Sequence, residues 1–225
     1  MDTMDLLKKS GAIVEGHLVF KAGTHGNLYI DKEQYANLTA TELTDFISRV
    51  AVNAVFKGLS FPVGVKRVGV IGPAMGAIAF TLTLAARLEE LLPQYEFFPA
   101  RSELAIDASG NKTHVIPDKL MRLYENGTFV ILEDIVNNGT TIREVKALFE
   151  TRANAHIAAA LCTVDRGGQT RKSLVIDQYY PLARIDMNQW DASKCPLCAQ
   201  GVPIDTSLGK GGAMDQSLWT TALCS

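Results

Sequence analysis

The sequence predicts an α/β fold, in which a parallel β-sheet carries helices on both faces. Short apolar runs alternate with segments of helical periodicity, as in TFVILED (128–134), residues 140–150 and HIAAALCTVD (156–165). Uninterrupted apolar runs are typical of strands that are buried on both sides of a parallel sheet. Their alternation with helices favours a doubly wound arrangement over an antiparallel one.

The first third of the chain predicts a small lobe followed by the start of the sheet. Residues 5–12 predict a short helix, and HLVF and NLYIDKE (17–33) predict two strands joined by turn residues, which favours a hairpin. This hood lobe spans about residues 1–36. TATE (39–42) is a capping box, and apolar residues at helical spacing extend the following helix to about residue 56.

The remaining elements continue the alternation. RVGVIG (67–72) predicts a buried strand, residues 76–92 a helix that stops before Pro93, and YEFFPA (95–100) the next strand. ARIDM (183–187) predicts a weaker last strand. Residues 1–204 are expected to form a single domain, and residues 205–225 a flexible tail, since the last stretch has no periodicity.

Composition excludes several classes of function. The 225 residues are 47% hydrophobic, and 22 basic against 24 acidic side chains give a net charge of −2. This balance provides no general attraction to nucleic acid or to an anionic membrane. Residues 68–86 carry no charge, but their glycines and Pro73 favour a strand, a turn and a helix over a membrane span. With no apolar signal segment near the start, we expect a cytoplasmic protein.

Cys195 and Cys198 form a single CxxC motif among four cysteines. A zinc site needs two further ligands, and the sequence offers neither a second CxxC nor an HxxxH motif. The favoured interpretation is a reduced pair in a loop. A metal site is the weaker alternative, and a disulfide framework is weaker still.

One stretch contains most of the candidate ligand-binding groups, namely VILEDIVNNGTTI (130–142). Its strand ends in the adjacent carboxylates Glu133 and Asp134, and Asn-Asn-Gly-Thr-Thr leads into the next helix. The N-terminus of a helix presents unpaired N–H groups and a positive dipole end, which suit a phosphate. Carboxylates can accept hydrogen bonds from sugar hydroxyls, so the stretch indicates a phosphorylated sugar. The open alternative is that Asn138 or Thr140 only caps the helix while the acids are solvated.

This stretch resembles the phosphoribosyl pyrophosphate (PRPP) motif of type I phosphoribosyltransferases. GAIVEGHLVFKAGTHGNLYID (11–31), VIGPAMGAIA (70–79), TVDRG (163–167) and CPLCAQGVPI (195–204) are similar to further segments of the orotate phosphoribosyltransferase family, in the same order. The resemblance covers most of residues 11–204. It implies the type I phosphoribosyltransferase fold with an N-terminal hood, transfer of the phosphoribosyl group of PRPP to orotate, Mg²⁺ carried by PRPP and positioned near Asp134, and a homodimer.

The resemblance also implies a role for each matching residue. Glu133 and Asp134 would hold the ribose hydroxyls, the loop after them the 5′-phosphate, and the Arg166 guanidinium the orotate carboxylate. The open alternative for Arg166 is a salt bridge to Asp165, and Tyr29 could equally be a core residue. The full set is Lys21, Arg101, Glu133, Asp134, Asn137, Asn138, Gly139, Thr140 and Thr141 for PRPP; Gly72, Pro73, Ala74, Met75 and Gly76 for pyrophosphate; and Tyr29, Asn137 and Arg166 for orotate.

Residues 102–119 are polar and without periodicity, which predicts a functional loop or lid. The family usually carries a basic cluster here, but only Arg101 matches it. Lys112 and His114 are candidates to replace the missing cations, while Glu103 and Asp107 would repel pyrophosphate. Two alternatives to orotate transfer therefore stay open: a paralogue that uses another acceptor base, and a PRPP- or nucleotide-binding regulator without turnover.

Overall fold

The computed structural model describes residues 3–20, 23–73 and 78–205, apart from the side chains of Lys32 and Ile78. The chain forms two compact units. The first combines the N-terminal residues up to Thr39 with the residues from Asp186 onward, and the second spans Ala40–Ile185. The sequence did not indicate that the C-terminal segment joins the unit of the N-terminal residues. The predicted tail falls almost entirely outside the described residues.

Seventeen helices and strands are numbered here in chain order over the described residues. They are α1 (Thr3–Lys9), β1 (Ile13–Val19), β2 (His25–Ile30), α2 (Ala40–Phe56), β3 (Arg67–Gly72), α3 (Ile78–Leu91), β4 (Glu96–Arg101), β5 (Glu103–Ile106), β6 (Lys112–Val115), α4 (Asp118–Tyr124), β7 (Thr128–Val136), α5 (Thr140–Ala153), β8 (His156–Asp165), α6 (Arg171–Leu174), β9 (Tyr179–Arg184), β10 (Gln189–Trp190) and α7 (Pro196–Ala199).

The first unit is built on the predicted hairpin. β1 and β2 pair antiparallel, with Ile13 opposite Ile30, and β10 adds a third antiparallel strand beside β2. The N-terminal helix packs under the hairpin through the buried side chains Leu6 and Leu7. The hairpin prediction is therefore confirmed. The helix ends at Lys9, three residues earlier than predicted, and Ser10 caps the turn by donating to the carbonyl of Leu7.

The second unit contains a five-stranded parallel sheet in the order β4-β3-β7-β8-β9. The connection from β3 to β4 and that from β7 to β8 run in opposite directions across this sheet. Because such crossovers are right-handed, α3 and α5 lie on opposite faces. The predicted fold class is confirmed. The strand order reverses between β3 and β7, and ligands of doubly wound sheets bind beyond the carboxyl ends of strands at such a point.

The packing of the core of the second unit explains why its central strands could be predicted from the sequence. β3, β7 and β8 are almost continuously buried. The ring of Phe129 on β7 packs against Tyr124 and Phe149, with centroids 5.4 and 5.2 Å away. Edge-to-face aromatic contacts of this kind stabilise a core beyond simple burial. They hold α4 and α5 against one face of the sheet.

The prediction that residues 102–119 lack regular structure is wrong. β5 and β6 form an antiparallel hairpin, and α4 follows. The Asp107 carboxylate accepts hydrogen bonds from the amides of Ser109 and Asn111, both at 2.9 Å, and closes the turn. The strands have four residues each and expose Leu104 and Ile106. A hairpin without a buried face leaves no apolar periodicity in the sequence.

The last strand of the sheet is also earlier than predicted. β9 spans Tyr179–Arg184, whereas the sequence indicated 183–187. Pro181 lies inside the strand, and proline weakens a strand prediction because it cannot donate to a sheet ladder. β9 is an edge strand, where a proline is tolerated. Among the described residues, no helix is long and apolar enough to cross a membrane.

Candidate active site

The predicted site lies at the reversal of strand order in the second unit. β7 runs to Val136, so Glu133 and Asp134 belong to the strand itself and are both half-buried. One Asp134 carboxylate oxygen accepts a hydrogen bond from the amide of Ile135 at 2.7 Å. The hydroxyl of Thr163 on the neighbouring strand donates to the carbonyl of Asp134. The end of β7 is thus fixed by hydrogen bonds to both the side chain and the backbone carbonyl of Asp134.

A small cavity adjoins this strand end. It has a volume of about 90 Å³, and it is lined by Glu133 together with residues of the strand end and of the following turn. The lining residues are Glu133, Ile135, Val136, Asn137, Asn138, Gly139, Thr140, Thr141 and Ile142. The structure therefore brings together Glu133 and all five loop residues that the sequence assigned to PRPP.

The turn from β7 into α5 requires glycine at position 139. Gly139 precedes the helix with φ of +72°, in the left-handed region, and a Cβ there would lie 2.2 Å from Leu174 Cδ2. The side chain of Asn138 accepts from the amide of Thr140 at 3.3 Å, so the predicted capping role of Asn138 accounts for one amide. The first-turn N–H groups of a helix have no intrahelical acceptor, and this is where an anion binds.

Neighbouring segments brace the 137–141 loop. A Cβ on Gly167 would lie 1.6 Å from the Asn137 carbonyl oxygen, so only glycine allows this contact. Gln169 donates to the same oxygen at 2.8 Å, and Arg143 donates to the carbonyls of Asn138 and Ser173 at 2.9 and 3.1 Å. The loop backbone is therefore fixed by contacts from Gly167, Gln169 and Arg143.

Sequence reasoning missed both Gln169 and Arg143. The sequence did contain a signal for Arg143. A cation in the first turn of a helix interacts unfavourably with the helix dipole, so its presence there suggests a specific contact. Gln169 left no such signal, because its contact with Asn137 spans 32 positions of the chain.

Arg166 lies beside the end of β7. Its amide donates to the carbonyl of Val136 at 2.9 Å, and its side chain is half-buried. The buried carboxylate of Asp165 does not use Arg166 as its partner. It accepts from the amides of Gly167 and Gln169 and lies 3.2 Å from the guanidinium of Arg184. The salt bridge to Asp165 weighed for Arg166 is thus formed by Arg184, which leaves Arg166 as the candidate for a ligand carboxylate.

The carboxyl end of β3 borders the same side of the sheet. Buried Ser102 donates through its amide to Gly72 and through its hydroxyl to the carbonyl of Pro73, at 3.3 and 3.2 Å. These bonds fix the two described residues of the predicted pyrophosphate loop. The other three, Ala74, Met75 and Gly76, lie outside the described residues.

The 103–115 hairpin begins where these contacts end. The imidazole Nδ1 of His114 lies 3.0 Å from the hydroxyl of Ser102, and burial lowers the pKa of His114 although the nearby Glu144 opposes this shift. Arg101 forms a salt bridge with Glu103 at 3.1 Å, while Lys112 is exposed. His114 thus lies at the base of the hairpin, where burial favours its neutral ring, and the roles of His114 and Lys112 toward pyrophosphate stay predictions.

Two predicted site residues belong to the first unit. Tyr29 is half-buried on β2, opposite Val14 on β1, and its role in binding orotate stays a prediction. Lys21 lies outside the described residues, so its predicted contact with pyrophosphate also stays a prediction.

Comparison with known proteins gives a consistent result. An orotate phosphoribosyltransferase of Heliobacterium modesticaldum is 29% identical over 201 residues, covering 89% of this chain and 93% of that protein. One of Carboxydothermus hydrogenoformans is 28% identical over 205 residues, with 91% and 95% covered.

Solved structures agree on the fold. The orotate phosphoribosyltransferase of Aeropyrum pernix superposes with a TM-score of 0.57 at 19% identity, covering 82% of this chain and 94% of that one. That of Francisella tularensis gives 0.56 at 12% identity, with 80% and 84% covered. The phosphoribosyl transferase domain family itself matches residues 40–191, about two thirds of the chain. The protein is therefore a member of the phosphoribosyl transferase domain family and a transferase enzyme.

Proposed function

We propose that this enzyme is an orotate phosphoribosyltransferase, which transfers the phosphoribosyl group of PRPP to orotate and releases orotidine 5′-monophosphate and pyrophosphate. The observation that carries the proposal is the strand end with Glu133 beside the braced 137–141 loop at the point where the strand order reverses. The names of the curated relatives over about 90% of the chain support orotate as the acceptor. We further propose a cytoplasmic homodimer that acts in pyrimidine biosynthesis.

The loop accounts for recognition of the 5′-phosphate. The α5 amides, Gly139 and the hydroxyls of Thr140 and Thr141 supply donors at a helix N-terminus. Glu133 and Asp134 accept from the ribose 2′- and 3′-hydroxyls, and their charge rejects a second phosphate at that position. Together they orient C1′ of the ribose for attack.

The residues present also suit the Mg²⁺ that phosphoribosyltransferases generally use with PRPP. Carboxylate oxygens are the hard donors that Mg²⁺ prefers, so Asp134 is the candidate to lie near it, and when bound it would neutralise charge on the pyrophosphate.

The reaction itself places few demands on the protein. N1 of orotate attacks C1′ while the C1′–O bond to pyrophosphate breaks. The bond electrons leave with pyrophosphate, and the proton of N1 passes to the released pyrophosphate or to water. The chain contributes orientation of the two substrates and stabilisation of the departing charge. Arg166 would hold the orotate carboxylate in the bidentate manner that a planar guanidinium allows.

The test is the loss of orotate absorbance on mixing the protein with PRPP, Mg²⁺ and orotate. Arg166→Lys keeps the charge but removes the bidentate fork, so we expect a loss of orotate affinity close to that of Arg166→Ala. Arg152→Ala, at an exposed position in the last turn of α5, is the matched control and should retain full activity. Turnover that is unaffected by Arg166→Ala would contradict the role of Arg166, and no turnover with any pyrimidine base would contradict the proposed activity.

One observation favours the alternative of a PRPP-binding regulator. The hairpin lacks the expected basic cluster, and Arg101 at the end of β4 is paired with Glu103 of the hairpin. Calorimetric binding of PRPP by a protein that shows no turnover would favour this alternative. Turnover with a different acceptor base, in competition with orotate, would instead indicate the paralogue.

A further inference from the structure

Four side chains with metal-binding atoms meet in the first unit, and the proposed function uses none of them. His17 comes from β1, His25 from β2, and Cys195 and Cys198 from the start of α7. One ligand atom from each lies within 4.8 Å of every other. We propose that this cluster is a structural zinc site of the Cys₂His₂ type, which fastens the C-terminal segment to the N-terminal hairpin.

The sulfur–nitrogen distances fit a tetrahedral zinc ion. Zn–S bonds of about 2.3 Å and Zn–N bonds of about 2.0–2.1 Å place sulfur and nitrogen ligands about 3.5 Å apart. Nε2 of His17 lies 3.5 Å from Sγ of Cys195 and 3.6 Å from Sγ of Cys198. Nδ1 of His25 lies 3.3 Å from Sγ of Cys198. All three distances agree with the zinc geometry to within about 0.2 Å.

The second ring nitrogen of His17 makes a contact that fixes which nitrogen can bind a metal. Nδ1 of His17 lies 2.7 Å from the carbonyl oxygen of Val202, which can only accept, so the proton sits on Nδ1 and the Nε2 lone pair faces the sulfurs. Zinc-bound histidines usually make this bond to a backbone carbonyl.

The rival arrangement is a metal-free hydrogen-bonded cluster. Nε2 of His17 and Nδ1 of His25 are 2.8 Å apart, a hydrogen-bond distance that is shorter than the roughly 3.3 Å expected between two nitrogen ligands of one zinc ion. However, His25 and both thiols converge on the same Nε2 of His17. One lone pair cannot serve three donors well, whereas one cation among four ligands satisfies all of them.

The position of the cluster gives it a structural purpose. His17, His25 and Cys195 are at most 3% exposed, so the site is nearly closed to water. Within the described part of the C-terminal segment, 186–205, Cys195 is the single buried apolar side chain. A segment that buries so little apolar surface needs another attachment, such as a disulfide or a metal, and no disulfide joins Cys195 and Cys198.

The ligand set also selects the metal and its role. Two thiolates and two imidazoles in a tetrahedral arrangement favour zinc over the oxygen-seeking Mg²⁺. Four protein ligands leave no open position for water or substrate, so the ion would be structural rather than catalytic. The expectation that CxxC lacks two partners is thus corrected. The partners come from the hairpin, up to 181 positions away, and they are two of the four histidines in the chain.

The first test is the metal content of the purified full-length protein by plasma mass spectrometry. We expect one zinc per chain after dialysis, and more than tenfold less in Cys198→Ser and His25→Gln. The matched controls are Cys162→Ala, which removes a buried thiol from β8, and His156→Gln, which removes an exposed imidazole from the same strand; both should retain the zinc. Zinc retained equally in all variants would mean binding elsewhere and would overturn the proposal.

A spectroscopic test separates a Cys₂His₂ site from other binding. Replacement of the metal by Co²⁺ should give the strong visible absorption of tetrahedral cobalt together with a thiolate charge-transfer band. The weak spectrum of octahedral cobalt, or no bound cobalt, would overturn the assignment.

The wild-type protein keeps the proposal testable should the variants fail to fold. Alkylation followed by peptide mass spectrometry should find Cys195 and Cys198 protected, and modified at least tenfold faster after a chelator is added. Absence of zinc in protein expressed with zinc supplementation, with no effect of the chelator, would establish the hydrogen-bonded cluster instead. None of these measurements depends on turnover of orotate, so they succeed or fail independently of the proposed activity.

Discussion

The 137–141 loop and the 103–115 hairpin both belong to the second unit, yet they are built in different ways. The loop is short and fixed through its backbone by Gly167, Gln169 and Arg143. The hairpin is tied at its base by the contact between Ser102 and His114, and its strands are largely exposed. The difference teaches that fixed geometry is concentrated in the loop that we propose to orient the phosphate. The hairpin, which we propose to cover the site, is held by few contacts, as a moving lid requires.

The largest effect is expected where the loop meets Gly167. Gly167→Ala places a Cβ 1.6 Å from the Asn137 carbonyl, so the loop must move. We expect a loss of about 1–3 kcal/mol in the free energy of unfolding, and a roughly 100-fold loss of turnover, because small displacements at a site have large effects. Denaturant unfolding and steady-state kinetics measure the two.

Gly168→Ala is the control for that variant. Its φ of +61° makes alanine unfavourable by about 1–2 kcal/mol, but no atom lies within 4 Å of the added Cβ. It should lose comparable stability and keep most of its turnover. Equal losses of turnover in both variants would show that the contact with Asn137 does not position the site.

The next effect concerns the strand end. Glu133→Gln removes the charge that would accept from a ribose hydroxyl at the loop cavity. A charge-assisted hydrogen bond contributes about 1.5–3 kcal/mol, which corresponds to a roughly 10–100-fold lower kcat/KM for PRPP. Glu125→Gln, at an exposed helix end in the same unit, should behave as wild type. An unchanged kcat/KM would remove Glu133 from the site.

A smaller effect is expected in the hairpin. Glu103→Gln breaks the salt bridge that holds Arg101. The interaction free energy of such a pair is no more than about 1 kcal/mol. The freed arginine should lower the KM for PRPP by up to about fivefold. Glu96→Gln, at the exposed opposite end of β4, is the control. A higher KM for PRPP would indicate that the pair itself, rather than the free cation, serves the ligand.

The smallest effect is a pH dependence at the hairpin base. Because burial lowers the folded-state pKa of His114 below its ordinary value, the unfolded chain binds more protons than the folded chain as pH falls through that ordinary value. Stability should therefore decline from pH 7 toward pH 5 more steeply in wild type than in His114→Gln. Thermal unfolding across this range checks the slope, and parallel curves for the two proteins would mean that His114 does not contribute.

Much of the second unit could be predicted because its signals are local. β8 spans the predicted residues 156–165. α2 begins at Ala40, within the predicted capping box, and ends at Phe56 as expected. Glu133, Gly139 and Thr140 lie close together in the sequence, within one strand–turn–helix unit. The loop could therefore be predicted directly from the sequence. Buried strands and helix caps depend on residues that are a few positions apart in the sequence. Hydrophobic periodicity is detected over the same distance.

What only the tertiary structure decided involves residues far apart in the chain. The contact of Gly167 with Asn137, the pairing of Asp165 with Arg184, and the exposed hairpin carry no periodic signal. The meeting of His17 and His25 with Cys195 and Cys198 spans most of the sequence. By itself the sequence determined which segments form buried strands and helices and where the loop that we propose to bind phosphate lies. The fold decided which side chains become neighbours, because only chain folding brings ligands of high sequence separation within a few ångströms of each other.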